Sequence, residues 1–140
     1  MKTFAKILCL TIAAVMLCVV FASCAPAAKA EDALAALKDN GYTAVKDDNI
    51  IPAGLKLLGA NGVETVVSGS KVDSDNKFQT ITIVYFGSSS DAKKAEESVK
   101  KYADDKEKED KEKAEESDWV FKRSGKIVYF GTKAAVKAAR

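Results

Sequence analysis

Ile83-Val84-Tyr85-Phe86-Gly87-Ser88 returns forty-four residues later as Ile127-Val128-Tyr129-Phe130-Gly131-Thr132, and this repetition decides the fold. Each copy joins four bulky β-formers to a glycine and a hydroxyl residue, the composition of a strand that turns into a helix. A second strand-like stretch precedes each copy, and an Ala/Lys-rich stretch follows it. Two hairpin-plus-helix units predict an α+β domain, an antiparallel sheet of about four to five strands with helices packed on one face. Two units are too few for a solenoid.

Upstream of the first copy, Val63–Val72 and Phe78–Phe86 read as paired strands, with Asp73-Ser74-Asp75-Asn76 as turn chemistry between them. Downstream, Ser88-Ser89-Ser90-Asp91 predicts a capping box in which Ser88 accepts from the backbone three residues on. Ala92, Ala95, Val99 and Tyr102 then recur at helical spacing. Asp104 to Lys113 contains no apolar residue. That stretch predicts a solvated extension held by pairs four residues apart, Asp104–Lys108, Glu107–Lys111 and Glu109–Lys113.

Around the second copy, Trp119–Arg123 and Lys126–Phe130 flank Ser124-Gly125. A two-residue connection there pairs Phe121 with Val128 and Trp119 with Phe130, four large apolar side chains on one face. Thr132 is the expected cap of a short final helix, with Lys137 and Arg140 at its C-terminal end. Before the repeat, a helix carrying Leu34 and Leu37 ends near Asn40, and Gly41 stops it. A strand Tyr42–Lys46, a polar loop Asp47–Asn49 and one or two helical turns over Pro52–Leu58 complete the reading.

The N-terminus has a different character. Met1–Lys6 holds Lys2 and Lys6 and no acid, and Ile7–Phe21 runs fifteen residues without a charge. This is the pattern of a secretory signal helix, short of the roughly 20 apolar residues a membrane span needs. It exits through Phe21-Ala22-Ser23-Cys24. Over residues 1–24 the chain resembles a bacterial lipoprotein precursor, with Phe21 where that family usually has Leu. The resemblance implies a diacylglyceryl group on the Cys24 thiol, fatty-acyl chains of the palmitate kind, and cleavage between Ser23 and Cys24. It also implies export and anchorage to the outer face of the cytoplasmic membrane or to the outer membrane. Residues 1–23 are then a signal peptide, 24–30 a lipid-anchored tether and 31–140 a single α+β domain. Ordinary cleavage after Ala27 or Ala30, or an uncleaved anchor, are the alternatives.

Cysteine usage favours lipidation. Cys9 and Cys18 leave with the signal, so the mature chain keeps Cys24 alone and forms no internal disulfide. Losing Lys2 and Lys6 takes the basic count from 22 to 20, equal to the 20 acids. A neutral domain gives no case for nucleic acid.

The domain itself bears a loose resemblance to sporulation-related repeat domains, carried by Leu37-Lys38-Asp39-Asn40-Gly41-Tyr42 and by Phe86-Gly87-Ser88 before an Ala-rich helix. Those domains bind peptidoglycan through a small sheet. The order of elements and the long charged helix depart from that pattern, so no binding residue carries over.

Catalytic and metal motifs fail on inspection. There is no His. Ser-x-x-Lys occurs at Ser68/Lys71, Ser74/Lys77, Ser90/Lys93 and Ser98/Lys101, a frequency that shows how cheap the pattern is in this chain. Ser74-Asp75-Asn76 matches a second β-lactamase element but lies in a hairpin turn, and the domain is too small for that enzyme. Asp73-x-Asp75 opens like a calcium loop, yet Phe78 stands where Gly is needed and Val84 where Glu is needed. No phosphate loop or dinucleotide motif occurs. No catalytic residue, metal ligand or cofactor is therefore assigned. The expectation is a lipid-anchored cell-envelope protein with a small non-enzymatic domain that binds a protein or cell-wall partner. The alternatives are a peptidoglycan-binding module and a small hydrolase using Ser, Lys and Asp on the sheet edge.

Overall fold

The computed structural model describes residues 25–113 and 118–140. The expected signal helix, Ser23 and Cys24 lie outside the described residues. In chain order the elements are α1 (Ala30–Asp39), β1 (Thr43–Asp47), α2 (Ile50–Leu57), β2 (Val63–Val72) and β3 (Phe78–Phe86). There follow α3 (Ser89–Lys113), β4 (Trp119–Ser124), β5 (Ile127–Thr132) and α4 (Lys133–Ala138). The five strands form one open antiparallel sheet in the order β1-β2-β3-β5-β4. This is the α+β class read from the repeat.

The two hexapeptides lie side by side at the centre of that sheet. They pair antiparallel, with Ile83 opposite Tyr129, Val84 opposite Val128 and Tyr85 opposite Ile127. The second residue of one copy thus meets the second residue of the other, and a local two-fold axis relates hairpin β2–β3 to hairpin β4–β5. Strand β1 is added outside this unit, against β2.

Helices cover both faces of the sheet, not one. Side chains alternate across a strand, and residues 83–86 and 127–130 are apolar at every position. On one face Val67, Ile81, Ile83, Tyr85, Ile127 and Tyr129 pack under α1 and α4. On the other, Val66, Val84, Phe86, Val128 and Phe130 pack under α2 and α3. A strand with two apolar sides leaves one side wet unless a second layer covers it, so the one-face expectation could not hold.

The exits from the two copies also differ. After β3 the chain leaves at Phe86, and Ser88 Oγ accepts from the Asp91 N–H at 3.1 Å, the predicted cap of α3. After β5 the strand continues through Gly131 and Thr132, and α4 begins at once on the opposite face. Thr132 does not cap α4 with its side chain. Its hydroxyl instead engages the β3 backbone, accepting from the Thr80 N–H at 3.2 Å and reaching the Thr80 carbonyl at 3.4 Å. Gly131 permits that approach. Its φ of 146° and a backbone so close that a Cβ would lie 2.2 Å from the Thr80 carbonyl oxygen exclude any side chain.

The second hairpin turns at Gly125-Lys126, with Ser124 paired to Ile127. Phe121 therefore meets Phe130, and Trp119 meets Thr132, two residues from the expected pairing. A slip of two preserves the face. Trp119, Phe121, Val128 and Phe130 still share one side, with the Phe121 and Phe130 rings stacked at 6.4 Å.

Local chemistry explains the remaining ends. Gly41, at φ 81°, closes α1, and the Tyr42 N–H reaches back to the Leu37 carbonyl at 3.0 Å. Helix α2 starts at Ile50, two residues before Pro52, because the Asp47 carboxylate accepts from the N–H groups of Asn49, Ile50 and Ile51. Those bonds, the Asn49 one foremost, hold Asp47 below the usual aspartate range.

Candidate functional site

The apolar cover on the α2/α3 face stops partway along the sheet. Toward the hairpin turn that joins β2 to β3 the side chains on that face become hydroxyls, in cross-strand register. Ser68 pairs with Thr82, Ser70 with Thr80, and β1 adds Thr43 opposite Ser70 and Val45 opposite Ser68. The result is two rungs of hydroxyls across β2 and β3, one of them extended onto β1 by Thr43 and the other ended there by Val45. Ile51 and Phe78 border them, and the last turns of α3 overhang them through Tyr102, Lys106 and Asp110. Among the described residues no hydrogen bond engages the side-chain hydroxyls of Ser68, Ser70 or Thr82. A groove of about 410 Å³ runs between helix and sheet.

The overhanging stretch is the one expected to be wholly solvated. Its charges do pair: Glu107 with Lys111 as expected, and in addition Lys100 with Asp104 at 3.0 Å and Lys106 with both Glu109 and Asp110 at 3.6 and 3.5 Å. Ala103, Lys106 and Asp110 fall three and four apart, so they line one side of the helix and face the sheet. Asp110 is 2% exposed, and its Oδ2 has no hydrogen-bond partner. A covered carboxylate oxygen without a donor is costly and rare in native structures. This residue is the unexplained chemical feature of the domain.

A second region bears on Cys24. Residues 25–29, expected as a tether, are held against the domain. Pro26 is buried, the Ala27 N–H donates to the Ala139 carbonyl at 2.8 Å, and the Tyr85 hydroxyl donates to the carbonyls of Ala27 and Lys29 at 2.8 and 3.4 Å. Burial, with Glu31 and Asp32 nearby, pushes the Tyr85 phenol well above its usual range, so it remains a donor. Ala25 emerges beside Gly125, Lys126 and Arg140.

The Ser-x-x-Lys pairs are not brought together. Ser68 and Lys71 point to opposite faces of β2, and Lys71 donates to the Asn40 carbonyl at 2.9 Å and lies over the Tyr42 ring. Ser74 and Lys77 lie in the hairpin turn, where the Asp73 carboxylate accepts from the Asp75 and Lys77 N–H groups and from Gln79. The Gln79 bond foremost holds Asp73 below its usual range. Ser90/Lys93 and Ser98/Lys101 lie along α3. Among the described residues no Ser–Lys hydrogen bond forms, and no group of three or more His, Cys, Asp and Glu side chains is placed to hold a metal. No helix among them is long and apolar enough to cross a membrane.

Sequence reasoning missed the groove. Its signal was present: Ser68-Gly69-Ser70 and Thr80-Ile81-Thr82 each place hydroxyls two apart, hence on one face. The chain matches no protein-family model, no curated protein and no solved structure.

Proposed function

We propose that this is a lipid-anchored cell-envelope protein whose folded domain is a non-enzymatic binding module. The observation that carries the reading is the run from Lys2 to Cys24, a basic start, fifteen uncharged residues and Phe21-Ala22-Ser23-Cys24. The docked segment supports it. With Ala27 and Lys29 fixed to Tyr85, a lipid on Cys24 holds the domain within a few residues of the bilayer. Two or three acyl chains, at about 0.8 kcal/mol per buried CH₂, anchor far more firmly than one.

The test is Cys24→Ala in cells supplied with labelled palmitate. The variant should lose the label and leave the membrane fraction, or accumulate as the uncleaved precursor. Unchanged label, size and membrane partition would overturn the reading. A peptidoglycan-binding role is a narrower form of the same proposal, supported by the row of uncommitted hydroxyls on the sheet. The hydrolase reading has less support: Ser68, Ser70, Lys106 and Asp110 line one groove, but among the described residues no hydrogen bond joins a serine hydroxyl there to the lysine or the carboxylate that would activate it.

A further inference from the structure

We infer that the groove between the end of α3 and the hydroxyl rungs of β2 and β3 is a binding site for a primary ammonium group, with Asp110 as its anionic partner. The inference rests on the reading of the domain as a binding module and names the chemistry of what it binds.

The buried Oδ2 of Asp110 accepts nothing. A carboxylate accepts only, so what is missing is a donor. Lys106 supplies an ammonium at 3.5 Å from Oδ1, beyond the ordinary N–H···O range, and shares it with Glu109 at 3.6 Å. Its side chain is 31% exposed, where that of Asp110 is 3%. Lys106 is thus a loose internal place-holder over a site that already attracts an ammonium. A ligand ammonium entering along the groove displaces it and meets Asp110 from one side. From the other it meets the hydroxyl oxygens of Ser68, Ser70 and Thr82, which accept as readily as they donate. Tyr102 and Phe78 add aromatic surface to the lining of the groove. A divalent metal fits poorly, because one carboxylate falls short of the oxygen set a calcium ion takes. Cationic charge, not hydroxyl content, is what the empty acceptor selects.

The experiment is a calorimetric titration of the full-length chain in detergent with putrescine. The same measurement with 1,4-butanediol, its uncharged analogue, and with fully N-acetylated chitotriose tests the class. Putrescine should bind saturably, and the two neutral ligands should bind at least tenfold more weakly. Asp110→Asn, which keeps the shape and removes the charge, should weaken putrescine at least tenfold. Lys106→Met, which removes the competing ammonium, should tighten it several-fold. Opposite effects from two residues on one helix turn are not expected of a purely structural pair. Thr82→Val gives a charge-neutral check from the opposite wall, with weakened binding expected, should Asp110→Asn fail to fold. Absence of saturable putrescine binding, equal binding of butanediol, preference for chitotriose, or indifference to both α3 substitutions would overturn the inference. None of these results depends on acylation, which is read separately through Cys24→Ala.

Discussion

Val84 lies directly opposite Val128 at the centre of the sheet, and the two are the same position in two copies of one hexapeptide. Both are fully buried, on the same face, under α3. Antiparallel pairing of equal positions places a two-fold axis between them and makes the repeat self-complementary. The two hairpins thus share their central seam, and the symmetry ends where the helices begin. α3 folds over the Val84 face, whereas α4 crosses to the other and packs Ala135 and Val136 with Ile83 and Tyr129.

The unequal exits predict unequal glycines. Gly131→Val should destabilise the domain by about 3 kcal/mol or more, since it combines a strained φ with overlap against the Thr80 backbone. A Cβ at Gly87 meets only the Glu64 carboxylate, at 3.1 Å, which is the end of a flexible side chain. Gly87→Val should cost about 1 kcal/mol or less. Denaturant melts of the two variants check this, and equal losses would restore equivalent exits.

Tyr85→Phe should free the segment that follows Cys24. It deletes one buried donor shared by two carbonyls, a loss of about 0.5–1.5 kcal/mol. The sharper readout is local. Amide exchange at Ala27 should accelerate much more than exchange in β3.

Asp110→Leu should leave melting temperature unchanged or raise it, by up to about 1–3 kcal/mol in stability, because it removes a buried oxygen that has no partner. A stabilising substitution at a native acid is the expected mark of a residue kept for binding. A clear loss of stability would make Asp110 a structural residue.

Acid should loosen two local caps. The carboxyls of Asp47 and Asp73 are held below their usual range by backbone and Gln79 hydrogen bonds to the charged form. A depressed folded-state pKa contributes stability that is present above the unfolded value, about 3.9, and is lost as pH falls through the folded value. Asp47→Ala and Asp73→Ala should therefore lower melting temperature at pH 6 by more than at pH 3. Parallel curves for variant and wild type would sink the assignment.

The sequence by itself determined the elements that rest on neighbouring residues. The bounds of β2 and β3, the Ser88 cap and the Gly41 stop follow from propensity and short-range hydrogen bonds, which contacts elsewhere did not override. The face of the second hairpin was also legible, because a period of two survives a two-residue slip, although its register was not. Only the tertiary structure decided which side of the sheet each helix covers, since a strand apolar on both sides carries no sign of its own. The same holds for the groove. An aspartate in a run of charges reads as solvated, and Asp110 becomes a buried acceptor only because a 25-residue helix lays its last turns across the hydroxyl rungs of β2 and β3.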